Sequence, residues 1–227
     1  LLSGLTEKLP AHATGIRFLL DSSLWHDKKT YGRARTLCLL LSVGYRALVM
    51  DDDILCQAIL PPLTEAGIGI GSGGMRKAAF YANEQDVLRS GKPADFDPLS
   101  AHASLLGSTL GFALQKLNNG PLLESQLQNT NAALANVLAA DSPVLVTQCG
   151  SLGDPGTGGA HWALYQDEDS IERMLAVPDG VTAAMERRMN WLGSARPNFY
   201  KMSFMSQLTG LDNSQLLPPY FPAFRGE

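Results

Sequence analysis

The apolar positions of this chain fall into short runs broken by polar and glycine-rich stretches. Residues 1–14 read as the end of a helix and a turn, interrupted at Pro10. The run Ile16-Arg17-Phe18-Leu19-Leu20 then reads as a short buried strand ending at Asp21-Ser22-Ser23. From Gly32 to Val43 the apolar residues crowd a helical pattern. Gly44 stands where a helix C-terminus favours a left-handed residue. Ala47-Leu48-Val49-Met50 is a second apolar strand, running straight into Asp51-Asp52-Asp53. Strand, helix and strand with short links predict a right-handed βαβ unit. Asp21 and Asp51 would then sit at the carboxyl ends of parallel strands, the edge where open α/β sheets bind ligands.

Farther along, Pro61-Pro62 and the run Gly67 to Gly74 mark a loop. Residues 75–90 read as a helix, and Pro93 to Pro98 as a break. Residues 99–118 and 121–140 predict two amphipathic helices, an insertion beside the sheet. Val144 to Thr147 is a third strand, opening onto the glycine-rich stretch Gly150 to Gly159. Ser170 to Leu175 and Val181 to Trp191 read as helical, followed by a mixed stretch at 196–212 and a proline-rich segment from Leu217 to Glu227. The fold class expected is α/β, a mostly parallel sheet flanked by helices, in one domain over 1–227 with a helical insertion at 99–140.

Composition narrows the classes. A formal net charge of −4 argues against non-specific nucleic-acid binding, which needs a basic face. No apolar stretch approaches the roughly 18 residues of a membrane span. Three widely spaced cysteines, Cys38, Cys56 and Cys149, form neither a CxxC metal motif nor a dense disulfide framework. A reduced, cytoplasmic protein is expected. The first and last residues read as the ends of a piece of a longer protein, which leaves attachment of the parent protein to the inner face of a membrane open.

Three consecutive aspartates after an apolar strand cannot all be buried, because an unpaired buried carboxylate costs several kcal/mol. In extended chain Asp51 and Asp53 point one way and Asp52 the other. Two carboxylates on one side suit a hard divalent cation such as Mg²⁺ or Mn²⁺, which takes oxygen ligands and bridges to phosphates. A solvated acidic turn capping a helix at Ile54 accounts for the same residues. Arg33 and Arg35 open a helix, where anions are already favoured. They could clamp a diphosphate or pair with Asp21 or Asp51 as structural salt bridges.

Gly32-Arg33-Ala34-Arg35-Thr36, the apolar helix, and Leu48-Val49-Met50-Asp51-Asp52-Asp53 together resemble the central signature of GT-A glycosyltransferases. The nearest type is the large inverting family that includes cellulose and chitin synthases. The resemblance covers residues 15–56, and it is echoed by Phe221-Pro222-Ala223-Phe224-Arg225-Gly226-Glu227. It implies that Asp51 and Asp53 hold Mn²⁺ or Mg²⁺, with Asp52 beside the nucleotide-sugar diphosphate. It also implies that Asp21 touches the nucleoside, that Arg33 and Arg35 support the phosphates, and that Glu227, or an acid after it, is the base for the acceptor hydroxyl. Thr36 stands where the family usually has Asn, and the family's first strand is not visible before residue 15.

The expected activity is metal-dependent transfer of a sugar from a nucleotide-diphosphate sugar to a carbohydrate or other hydroxyl acceptor, with inversion. The alternatives are a non-catalytic GT-A-like module that binds a nucleotide or glycan, and a metal-dependent nucleotidyltransferase. Gly153 to Gly159 lacks the closing Gly-Lys-Ser/Thr of a P-loop. The four histidines have no HxxxH spacing, which argues against a zinc site.

Overall fold

The computed structural model describes residues 1–26, 31–52, 54–70, 76–127, 133, 136, 138–153, 166–182, 184, 189–199 and 208–214. Its longer helices are α1 (Leu2–Lys8), α2 (Ala13–Leu20), α3 (Tyr31–Leu41), α4 (Glu84–Ser90), α5 (Pro98–Leu105), α6 (Leu110–Leu117) and α7 (Glu168–Ala176). The strands are β1 (Arg46–Met50), β2 (Ile59–Leu60), β3 (Gly69–Ile70), β4 (Arg76–Phe80), β5 (Lys92–Pro93), β6 (Val146–Gln148), β7 (Ser151–Leu152), β8 (Asn190–Ser194), β9 (Asn198–Phe199) and β10 (Leu208–Asp212). The class is mixed α/β. The chain divides into two compact units, Leu1–Leu48 with Leu211–Glu227, and Val49–Gly210.

In the first unit, α1 and α2 pack together across the 3-10 turn Pro10–His12, whose proline takes a first-turn position that lacks a backbone partner anyway. The apolar run at 16–20, expected as a strand, is the second half of α2. A run this short cannot separate a strand from a buried helix segment. Its residues Ile16, Leu19 and Leu20 also fit the i, i+3, i+4 spacing of one helical face, with Leu20 the buried one. The expected βαβ unit therefore lacks its first strand. Helix α3 matches expectation, burying Thr36 and Leu39 one turn apart, each 2% exposed. Gly44 follows at φ +87°, the left-handed conformation that turns the chain into β1.

In the second unit, β4, β8 and β7 form an antiparallel sheet in the order β4-β8-β7, with Ala78 opposite Leu192 and Phe80 opposite Asn190. Ala78, Phe80, Met174, Ala184 and Leu192 make its core, with Val177 against them. Edge strand β4 is closed by α7, which lies along it. The Ala78 N–H donates to Ser170 Oγ at 3.1 Å, and Arg173 Nε donates to the Ala78 carbonyl at 2.9 Å. These two bonds take up the outward-facing N–H and carbonyl of Ala78, so the middle of the edge is not open to another strand. β2 pairs antiparallel with β5, and β3 pairs parallel with β9.

The helix expected over 75–90 is strand β4 followed by α4, which starts where the Asn83 side chain accepts from the Asp86 N–H. Of the helix expected over 181–191, Gly180–Thr182 and Ala184 are helical and Asn190 and Trp191 belong to strand β8, while residues 183 and 185–188 lie outside the described residues. In the 99–140 region, α5 and α6 are separated by Leu106–Thr109, and a 3-10 turn covers Glu124–Leu127. Residues 128–132 lie outside the described residues. Among the described residues no helix is long and apolar enough to cross a membrane.

Candidate functional site

The acidic turn sits where the sequence puts it, at the end of β1. Burial alternates along the approach: Val49 is 6% exposed, Met50 is exposed, Asp51 is half-buried and Asp52 is exposed. Over Val49 to Asp51 this is the two-residue period of extended chain, which turns successive side chains to opposite sides, and Asp52 already belongs to the turn. Asp51 thus shares a side with Val49, while Asp52 faces solvent with Met50. The Ile54 N–H donates to the Asp51 carbonyl at 3.4 Å, turning the chain after the aspartates. Asp53 and Glu227 lie outside the described residues. Among the described residues no group of three or more His, Cys, Asp or Glu is arranged to hold a metal. The donor set of Asp51 and Asp52, with Asp53 adjacent in sequence, is hard carboxylate oxygen and suits Mg²⁺ or Mn²⁺.

Asp21 is held differently from expectation. It follows α2 and caps the 3-10 turn Ser22–Trp25, accepting from the Ser23 N–H at 3.0 Å and from Ser23 Oγ at 2.6 Å. The Ser23 hydroxyl, then its N–H, holds the Asp21 carboxyl below the usual carboxylate range, and Arg17 at 3.9 Å adds to this. Trp25 stacks edge-on against Phe18, with ring centroids 4.9 Å apart, and donates from Nε1 to the Phe18 carbonyl at 2.9 Å.

Arg33 and Arg35 are half-buried in the first turns of α3. Arg33 Nε is buried with no hydrogen-bond partner among the described residues. Asp21, Arg33 and Arg35 belong to the first unit, Asp51 and Asp52 to the second.

Two features had no sequence signal. One is Asn213, directly after β10, which is 0% exposed and binds both ends of the α3–β1 corner. The other is a charged cavity of about 140 Å³ in the second unit, lined by Leu63, Thr64, Glu65, Lys77, Asp169, Arg173 and Ala195. Lys77 Nζ is hydrogen-bonded to Asp167 and lies 3.5 Å from both Glu65 and Asp169. Arg196 approaches Glu65 at 3.9 Å and Arg173 approaches Asp167 at 4.0 Å. The Asp167 hydrogen bond raises the Lys77 pKa against the opposing pull of burial. Burial pushes Asp167 up, but Lys77 and the Ser170 donors outweigh it and hold its carboxyl below the usual range. Three cations thus meet three carboxylates, and the cluster balances its own charge. The residues come from segments about 100 positions apart, so no local motif could announce it.

Comparison of the chain with family models, with curated proteins and with solved structures gives no match.

Proposed function

We propose that this chain transfers a sugar from a nucleotide-diphosphate sugar to a hydroxyl acceptor, and that it has the GT-A arrangement its signature resembles. The observation that carries the reading is the delivery of Asp51 and Asp52 by β1, with Asp51 half-buried on the Val49 side and Asp52 in solvent. A helix opening with two arginines and closing at a left-handed glycine precedes that strand.

In this proposal Asp51 and Asp53 hold Mn²⁺ or Mg²⁺, which supplies charge neutralisation at the departing diphosphate. Asp52 lies beside the donor diphosphate, Arg33 and Arg35 bind phosphate oxygens, and Asp21 contacts the nucleoside. The acceptor oxygen attacks the anomeric carbon as the bond to the diphosphate breaks, giving inversion. Its proton passes to Glu227. In this proposal the reaction takes place in the cytoplasm or at the inner face of a membrane.

One observation favours the non-catalytic nucleotide- or glycan-binding module instead. The element preceding Asp21 is helix α2, and the Asp21 carboxylate is occupied by Ser23. A nucleotidyltransferase using the same aspartates would release pyrophosphate, where a glycosyltransferase releases a nucleoside diphosphate.

The test is thermal unfolding with UDP, GDP, CDP and dTDP, each with and without Mn²⁺. A ligand at 100 times its dissociation constant stabilises by about 2.7 kcal/mol. For a chain of this size that is a melting shift of roughly 5–10 °C. A shift that needs both metal and one nucleotide supports the transferase. Absence of any shift rejects a nucleotide site.

A further inference from the structure

We infer that Asn213 is the positioning residue that fixes the register of β1, and with it the side on which Asp51 leaves the strand. The inference rests on the metal and nucleotide reading of that turn. Asn213 is fully buried, and it grips the α3–β1 corner at four points. Its Nδ2 donates to the Leu39 carbonyl at 2.5 Å and to Ser42 Oγ at 3.1 Å, both in the last turns leading out of α3. Its backbone carbonyl accepts from the Gly44 N–H at 3.0 Å, and its backbone N–H donates to the Tyr45 carbonyl at 3.0 Å. Gly44 and Tyr45 therefore face a single residue across the pair, the two-against-one count of a β-bulge. Next to this, Asp212 approaches Arg46, the first residue of β1, at 3.5 Å.

The consequence follows from the period of the strand. A slip of one residue turns every side chain of β1 to the other side. Val49 would lose its buried position, and Asp51, the first residue after the strand, would leave it on the opposite side. The main-chain bonds of Asn213 alone do not define the register, because any residue at 213 can make them. The side-chain amide does, because it measures the strand against fixed groups at the end of the helix. Asp at this position lacks the donor, and Ala lacks both donor and acceptor.

The experiment compares the full chain with Asn213→Ala and the milder Ser42→Ala, by hydrogen exchange and by calorimetric titration. The titrant is whichever of UDP, GDP, CDP and dTDP binds the unmodified chain, with Mn²⁺. The expected result for Asn213→Ala is exchange at least tenfold faster across 45–52, unchanged exchange across 98–117, and nucleotide affinity at least fivefold weaker. Ser42→Ala should shift both readouts the same way by less, and it decides the matter should Asn213→Ala not fold. Faster exchange with full affinity, or unchanged exchange across 45–52 in a folded variant, overturns the positioning role alone. An unmodified chain that binds none of the four nucleotides with Mn²⁺ overturns the site reading and this role together.

Discussion

His102 Nδ1 lies 2.7 Å from Thr147 Oγ1, and the two atoms meet directly beside the α-carbon of Gly210. A Cβ on residue 210 would lie 2.5 Å from Thr147 Oγ1, 2.7 Å from Leu106 Cδ1 and 3.3 Å from His102 Nδ1. Gly210→Ala is expected to destabilise the chain by about 1–3 kcal/mol, the usual cost of overpacking. Adding Thr147→Ala should recover part of that loss, as read from urea midpoints. Two losses that simply add would show that the contact is relieved elsewhere.

Burial lowers the pKa of His102 from its ordinary 6.5, so the folded state favours the neutral ring. The unfolded chain then binds more protons below that value, and stability falls as pH drops from about 6.5 towards the folded-state pKa. Above it this residue contributes no pH dependence. His102→Asn should flatten the stability profile below its ordinary 6.5, measured by denaturant unfolding at each pH. An unchanged slope in the variant would assign that dependence to other groups.

Removing Lys77 from the charged cavity should cost stability. Lys77→Met leaves Asp167 with only Arg173, and Glu65 with only Arg196, among the ion pairs described. A loss of about 1 kcal/mol at neutral pH is expected for these partly solvated pairs. The folded-state pKa of Asp167 is lowered, so the stability its carboxylate contributes is present above its ordinary 3.8 and is lost as pH falls. The difference between the unmodified chain and Lys77→Met should therefore shrink below about pH 4. Denaturant curves at pH 7 and pH 3.5 give the comparison.

Asn190 carries the opposite expectation. It is 0% exposed in β8, opposite Phe80, and neither side-chain polar atom has a hydrogen-bond partner among the described residues. Replacing both polar atoms with apolar ones avoids the desolvation cost of an unmatched amide. Asn190→Val should raise stability by about 1 kcal/mol, and Val also suits a strand. A destabilised variant would mean the amide binds a buried water.

At the acidic turn, Asp51→Ala and Asp53→Ala should each abolish the Mn²⁺-dependent thermal shift with nucleotide, with the secondary structure unchanged by circular dichroism. Retention of the shift in both variants would remove the metal from these residues.

What could be read from the sequence ends where long-range packing takes over. Helix α3, the left-handed Gly44 and strand β1 were legible because each has a local cause: an apolar helical pattern, a residue without Cβ, and an apolar run ending in charge. Asp51 and Asp52 were placed correctly at that strand end for the same reason. The run at 16–20 misled because Ile, Phe and Leu over five positions satisfy either period. β4 was hidden by Ala78 and Ala79, which read as helix formers. What makes them a strand is register with Leu192 and Trp191 in β8, more than 100 residues later. Asn213 carried no signal, since its partners are the carbonyl of Leu39 and the hydroxyl of Ser42, and main-chain acceptors leave no pattern in a sequence.

The grip of Asn213 on Leu39 also sets a timetable for synthesis, because the two residues are 174 positions apart. At about 5–20 residues per second, residue 213 is made roughly 10–35 s after the helix it fastens. During that interval Thr36 and Leu39 wait without the segment that completes their corner, while every residue of the second unit is already being added. The first unit to be made is thus the last that can be finished, and the nascent chain must keep an apolar helix from aggregating until its closing residue arrives.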